Sequence, residues 1–252
     1  MTKIARRSLI AGIAALGTAG CSKIDGFADS EAGSGLFDMA EDWHRKAHRA
    51  LAGRERLAPE YAPEDLSPTF KGNGSLTVSD PVYRDQLAKG FPDWKLSVRG
   101  LVDNPLRLSI DELKALPQRT QITRHDCVEG WSAIGEWTGP RLSALLDMAR
   151  IRPEAKFIVF RCADTLYGRP YYESVDLIDA YHEQTIIAHS LNGEPIPEKN
   201  GAPLRMRIER QLGYKHAKFL TVIEAVETLD GIGDGKGGFW EDIGDYQWYA
   251  GI

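Results

Sequence analysis

Apolar residues recur along this chain at two different periods. Leu36, Ala40, Trp43, Ala47 and Leu51 stand at helical intervals and predict an amphipathic helix over 36–52. Leu142, Leu145, Leu146 and Ala149 form a second helical stripe, which Pro140 is placed to open. Trp94, Leu96 and Val98 instead alternate with Lys95, Ser97 and Arg99, the period of a half-buried strand. Met206 and Ile208 alternate with Arg205 and Arg207 in the same way. Lys156 to Arg161 is an apolar strand, and Phe219 to Thr228 is rich in strand formers. Ser109 and Glu112 make a capping box, so a short helix begins there and ends before Pro117. Ser174 to Tyr181 predicts another helix, and Asn192-Gly193 a hairpin turn. No βαβ rhythm emerges. The expected class is α+β, mixed sheets with short helices.

The first 21 residues break this pattern. Lys3, Arg6 and Arg7 precede an apolar stretch from Leu9 to Gly20, too short to span a bilayer and suited to a signal segment. Arg6-Arg7-Ser8-Leu9-Ile10 resembles a twin-arginine export signal. Thr18-Ala19-Gly20-Cys21 resembles a lipoprotein processing site, with Thr18 where such sites usually carry Leu. The expected location is periplasmic, with a lipid anchor at Cys21. Residues 22–57 then divide into a Gly-, Ser-, Ala- and Asp-rich tether, 22–35, and the amphipathic helix. Residues 58–252 form the expected main domain, opening with a Pro-rich and polar arm over 58–81.

Composition narrows the function. The net charge is -5, and no basic run stands outside the first residues, so a nucleic-acid partner is not expected. Cys21, Cys127 and Cys162 are too few to staple a fold. Cys127 lies in Arg124-His125-Asp126-Cys127-Val128-Glu129-Gly130-Trp131-Ser132, and the flanking Arg124 and His125 predict a thiolate-favouring setting. No second cysteine stands at metal-ligand spacing. A lone thiolate holds a metal only where a cofactor brings most other ligands. Two other readings stay open at this point. Cys127 is a buried free cysteine, or it pairs with Cys162 in a non-catalytic, disulfide-bonded envelope lipoprotein. A second cluster, Asn200-Gly201-Ala202-Pro203-Leu204-Arg205 followed by Gly213 to Lys218, sets fixed cations beside backbone amides, a setting for phosphate or a polar heterocycle.

Taken together, Cys127-Val128-Glu129-Gly130-Trp131-Ser132, Trp137-Thr138-Gly139, Asn200 to Arg205, Gly213-Tyr214-Lys215 and Tyr246 to Gly251 resemble the molybdopterin oxidoreductases of the sulfite oxidase fold. The resemblance covers about residues 68–252. It implies a molybdenum-molybdopterin cofactor with Cys127 as the metal ligand. It places Asn73, Cys162, Asn200, Arg205, His216, Ala217 and Lys218 at cofactor-binding positions, and Arg124 and His125 at the substrate mouth. Cys162 stands where the S-oxide-reducing members have Thr. The implied reaction is two-electron oxygen-atom transfer that reduces an S-oxide or N-oxide, small or protein-borne, such as methionine sulfoxide. The alternative is a sulfite-type oxidase with the same cofactor. The chain carries no haem motif, so the resemblance implies a membrane or periplasmic haem protein or cytochrome as electron partner. Because it ends soon after the cofactor motifs, a monomer is expected.

Overall fold

The computed structural model describes residues 31–252. The arginine pair, Cys21 and tether residues 22–30 lie outside the described residues. Residues up to Ala52 form one unit, in which the described part is a single helix, α1 (Glu31–Ala52). It starts earlier than its apolar stripe, so residues 31–35 are helical rather than tether.

Gly53–Ile252 is a second compact unit. The arm from 58 onward runs along it as expected. Glu60 bridges Thr123, and the Ser67 hydroxyl accepts from the Ile134 amide at 2.9 Å. Helix α2 (Pro81–Lys89) follows, with Asp80 as its N-cap, accepting from the Tyr83 amide.

Three sheets build this unit. The largest orders β2 (Leu106–Ser109), β1 (Lys95–Gly100), β11 (Leu220–Val226), β5 (Phe157–Leu166) and β6 (Arg169–Asp176), with β1 and β11 parallel and the other pairs antiparallel. The second runs β3 (Gln118–Cys127), β4 (Trp131–Pro140), β8 (Ser190–Leu191) and β9 (Glu194–Pro195). The third pairs β7 (Thr185–Ala188) with β10 (Arg205–Ile208). Short helices α3 (Ile110–Lys114), α4 (Leu142–Ala149), α5 (Leu177–Ala180) and α6 (Phe239–Gly244) close the ends. The α+β expectation holds.

The main core joins the predicted stripes. Leu142, Leu145, Leu146 and Ala149 of α4 pack with Leu96 and Val98 of β1, Ile158 and Phe160 of β5, and Met206 of β10. Full burial of one such aliphatic side chain contributes roughly 1.5–3 kcal/mol. A smaller cluster holds Phe70 of the arm edge-on to Trp137 of β4 at 5.1 Å, with Ile186, Ala188 and Leu191.

Three local expectations are corrected. Ser174, Val175 and Asp176 are strand, paired with Val159, Ile158 and Phe157. The Asp176 carboxylate caps the helix from outside by accepting from the Asp179 amide, so the helix cannot start earlier. Pro140 ends β4, opposite Gln118, and the helix begins two residues later. The alternating β10 is not half-buried. All four of its residues are buried, Arg205 and Arg207 included.

Candidate functional site

The β3–β4 hairpin sets the position of the sulfur. Cys127 and Trp131 face each other across the turn Val128-Glu129-Gly130, and the Gly130 amide donates to the Cys127 carbonyl at 3.0 Å. Gly130 takes φ +84, a conformation glycine supplies at little cost. Cys127 is buried at the wall of a cleft of about 100 Å³. Its polar lining includes Asn73, Ser75, Glu129, Asp164, His216 and Lys218. The rings of Tyr171, Tyr214, Trp240 and Tyr246 form the rest of the wall, with Trp240 stacked on Tyr246 at 5.6 Å and Tyr214 edge-on to Tyr246 at 5.1 Å.

Strand alternation sorts the motif residues. Cys127 and His125 point to the buried side, while Arg124 is exposed and pairs with Asp126 at 3.0 Å. Arg124 therefore does not line the cleft. His125 stands behind its wall. The His125 Nδ1 accepts from Arg207 at 2.9 Å, and burial, then the Arg207 charge, holds this histidine well below the usual range, so it is neutral. The expected thiolate-favouring pair is corrected accordingly. Burial pushes the Cys127 thiol up, with the Glu129 backbone hydrogen bond, Lys71 and Arg205 opposing it. A bound cation is what would make the thiolate the stable form. Cys127 and Cys162 are both free thiols, so the disulfide reading is set aside. Cys162 lines a neighbouring cavity with Arg161 and Tyr171.

The second cluster forms the layer beneath. Arg205 is fully buried, donates to the Asn200 carbonyl at 2.9 Å, and lies over the Trp137 ring at 5.0 Å. Its Nε has no partner. Burial, then Arg207, lowers its pKa to about 9. Asn200 is buried against the Lys71 carbonyl, and Ala217 is buried between Met206 and Lys215. Gly201 takes φ +108 with the Lys218 stem against it, so a side chain there would strike the lysine. Lys218 reaches the cleft and donates to the carbonyls of Asn73 at 2.6 Å, Ser75 and Lys199 at 3.2 Å. Thus Asn73, Cys127, His216 and Lys218 meet at one cleft, Asn200, Arg205 and Ala217 stand behind it, and Cys162 faces the adjoining cavity.

A family description, "oxidoreductase molybdopterin binding domain", matches residues 84–230. The chain is 34% identical over 92% of its length to a putative protein-methionine-sulfoxide reductase subunit YedZ1 of Azospira oryzae, of which it covers 80%. This chain belongs to the molybdopterin-binding oxidoreductases. It is also 35% identical over 60% of its length to the protein-methionine-sulfoxide reductase catalytic subunit MsrP of Xanthomonas campestris, and 32% identical over 55% to that of Campylobacter jejuni. It spans about half the length of these two relatives. The sulfane dehydrogenase SoxCD of Paracoccus pantotrophus matches with a TM-score of 0.50 at 22% identity, over 54% of this chain and 39% of its own, a likeness of fold. The chain is thus an oxidoreductase of the sulfite oxidase fold.

The cleft fits such a cofactor. Among the described residues no group of three or more His, Cys, Asp or Glu could hold a metal ion. A metal at Cys127 would therefore take one protein ligand and bring its other ligands on an organic chelate. Lys218 would hold an anionic part of that chelate, and the unpartnered Nδ1 of His216 and Oδ1 of Asp164 offer acceptors. Sequence reasoning missed Asp164, Ser75, Tyr171 and Trp240, and met Tyr214 and Tyr246 only as parts of motifs. Glu129 lay in plain view inside the cysteine motif. The others come from distant segments, with no local spacing to link them.

Lys218 carries a pH signature. Burial, then the Arg205 charge, lowers its pKa to about 7, with Asp164 opposing. An anion placed beside it would restore the charge, so binding takes up a proton above pH 7. Cofactor retention should fall by up to about tenfold per pH unit from about 7 upward. Dialysis at pH 6 and pH 9, followed by pterin and molybdenum assays, measures this. Lys218→Met should lower retention and flatten the profile.

Proposed function

We propose that this chain is an exported molybdenum-molybdopterin oxidoreductase that reduces S-oxide or N-oxide substrates, methionine sulfoxide foremost, with Cys127 as the metal's protein ligand. One observation carries the reading. Cys127 stands alone among soft ligands at a cleft with a cationic, polar side at Lys218 and an aromatic side at Tyr171, Tyr214, Trp240 and Tyr246. The names of the YedZ1 and MsrP relatives support the choice of substrate.

When bound, the cofactor supplies two-electron oxygen-atom exchange. The protein binds, orients and excludes water. Cys127 anchors the metal. Lys218 and Asn73 hold the cofactor from within the cleft, and Asn200, Arg205, His216 and Ala217 shape the layer that carries them. The aromatic wall suits an S-methyl group, since thioether sulfur packs favourably against ring edges. Electrons arrive from a membrane or periplasmic haem partner. The Arg6-Arg7 pair directs export and Cys21 anchors the chain by lipid.

The test uses the full chain purified from a host that makes molybdopterin. Molybdenum is assayed first. Turnover with a reduced dye is then followed on methionine sulfoxide, other S-oxides, N-oxides and sulfite. Near-stoichiometric molybdenum with S-oxide reduction is the expected result. A metal-loaded protein that oxidises sulfite and ignores every oxide would reverse the direction. Protein lacking molybdenum and pterin altogether would defeat the reading.

A further inference from the structure

Helix α1 wears its amphipathic character inside out. Met39, Ala40, Trp43, Ala47, Ala50 and Leu51 recur at three- and four-residue steps and share one face. Every one of them is exposed, Met39 at 55%, Trp43 at 70% and Leu51 at 87%. The opposite face carries the polar residues, and there Asp42, Arg45 and His48 are half-buried and Arg49 is buried. An ordinary surface helix does the reverse. Single exposed apolar side chains are common on folded proteins, but a continuous stripe marks a surface that something else covers.

Chain order and area point to the occupant. Glu31, the first residue of α1, follows Cys21 by ten residues, and Cys21 closes the apolar segment Leu9 to Gly20. Ten extended residues reach about 35 Å, so an anchored Cys21 keeps the helix within roughly one bilayer thickness of the lipid. A second copy of the chain is a poor fit. A stable interface buries about 800 Å² per partner, more than this face supplies with Ala40, Ala47 and Ala50 making up half of its residues. A bilayer asks for no matching side chains, only a continuous apolar strip with large apolar or aromatic residues to sink into it. Trp43, Met39 and Leu51 are those residues. Among the described residues no helix is long and apolar enough to cross a membrane, so this one would lie along the surface. Its cations add little pull towards anionic lipid, since Asp42 pairs with both Arg45 and Lys46. Apolar burial is the driving term.

We propose that α1 lies flat in the lipid–water interface of a membrane, with the face from Met39 to Leu51 sunk among the acyl chains and the Asp42, Arg45 and Arg49 face turned away from them. The proposal rests on the export and Cys21 anchoring proposed above and adds a second, non-covalent contact. One acyl chain alone gives only marginal binding, and a lipid with an interfacial helix makes the two signals that hold a protein in place.

The test uses the full exported chain with its cofactor, on vesicles of phosphatidylethanolamine and phosphatidylglycerol whose acyl chains are plain or brominated. Bromine quenches an indole only at close range. The chain has six tryptophans, so the difference between wild type and Trp43→Phe isolates Trp43. Wild type should lose fluorescence on brominated vesicles that Trp43→Phe does not lose. Vesicle partition is then compared between Cys21→Ser and the same chain carrying Trp43→Glu and Leu51→Glu. Both share the same first residues, so the ratio reports α1, and the two glutamates should weaken partition by about tenfold or more. The Cys21→Ser chain should keep its partition when salt is raised. Turnover on dissolved methionine sulfoxide should be the same in all of these chains, which separates this proposal from the molybdopterin reading. Equal quenching of wild type and Trp43→Phe, or equal partition of the two Cys21→Ser chains, would overturn the proposal. A lipid-free dimer that Trp43→Glu dissociates would overturn it in favour of a second copy. The mass of the exported chain reports the anchor separately. An unmodified Cys21 with Trp43 still quenched would defeat the lipid anchor and leave the helix contact standing.

Discussion

Cys127→Ser should give a folded protein whose turnover is down by more than about 100-fold. Partners one shell out from a metal typically cost 10–100-fold when removed, and among the described residues lining the cleft Cys127 is the only thiol. Serine is smaller and harder, and its hydroxyl is far less acidic than a thiol, so it does not replace a thiolate on a sulfur-loving metal. The fold should survive. Cys127 sits at the end of β3 beside a turn, and the ten-residue pairing of β3 with β4 does not depend on its sulfur. Circular dichroism and thermal melting check the fold, and turnover per bound molybdenum checks the chemistry. A metal-loaded Cys127→Ser protein with wild-type turnover would remove Cys127 from the site.

Lys215→Met should cost about 3–5 kcal/mol of stability, the range for breaking a buried ion pair by removing one partner. Lys215 is fully buried between Glu173 at 2.7 Å and Glu241, both equally buried. Burial works against its charge, but the two carboxylates outweigh that and raise its pKa. Burial and the Glu241 charge push Glu173 well above the ordinary carboxyl range. Without the lysine, two carboxylates face each other in the dry interior. For a domain of this size the melting temperature should drop by roughly 6–20 °C. The sign with pH follows. A carboxyl raised in the fold keeps its proton where the unfolded chain has lost it, so the deficit is smallest at low pH and grows as pH rises. Melts of the cofactor-free variant at pH 5 and pH 8 measure this, and an unchanged melting temperature at both would show the triad to be inert. Function should follow stability here. Tyr214 and Trp240, the chain neighbours of Lys215 and Glu241, belong to the aromatic wall of the cleft.

The sequence disclosed what depends on local spacing. The stripe of α4, the alternation of β1, the Ser109–Glu112 capping box and the Asn192-Gly193 turn are short-range signals, and each appears in the fold. Asn192 takes φ 53 and Gly193 φ 79, the left-handed pair such a turn demands. Ser174 to Asp176 misled because Val175 is their one apolar residue, too few to set a period, and pairing with β5 decided for strand. The cysteine motif was legible as chemistry. The side on which its neighbours fall was not, until β3 was known to run through Cys127 and send Arg124 outward. Asp164, Ser75 and Trp240 were invisible for a simpler reason. They enter from β5, the arm and α6, and only tertiary folding brings them to one cleft.

The alternation of β3 also limits how this protein can be redesigned. Its side chains switch faces at every step, so deleting one residue between Gln118 and Asp126 would send the sulfur to the solvent side and bring Asp126 or its neighbour inward. Length changes at the exposed tip around Val128 leave that parity untouched. Changes at the tip therefore alter the Val128 and Glu129 lining of the cleft without inverting the strand, whereas the strand leading to it behaves as a ratchet with a single working notch.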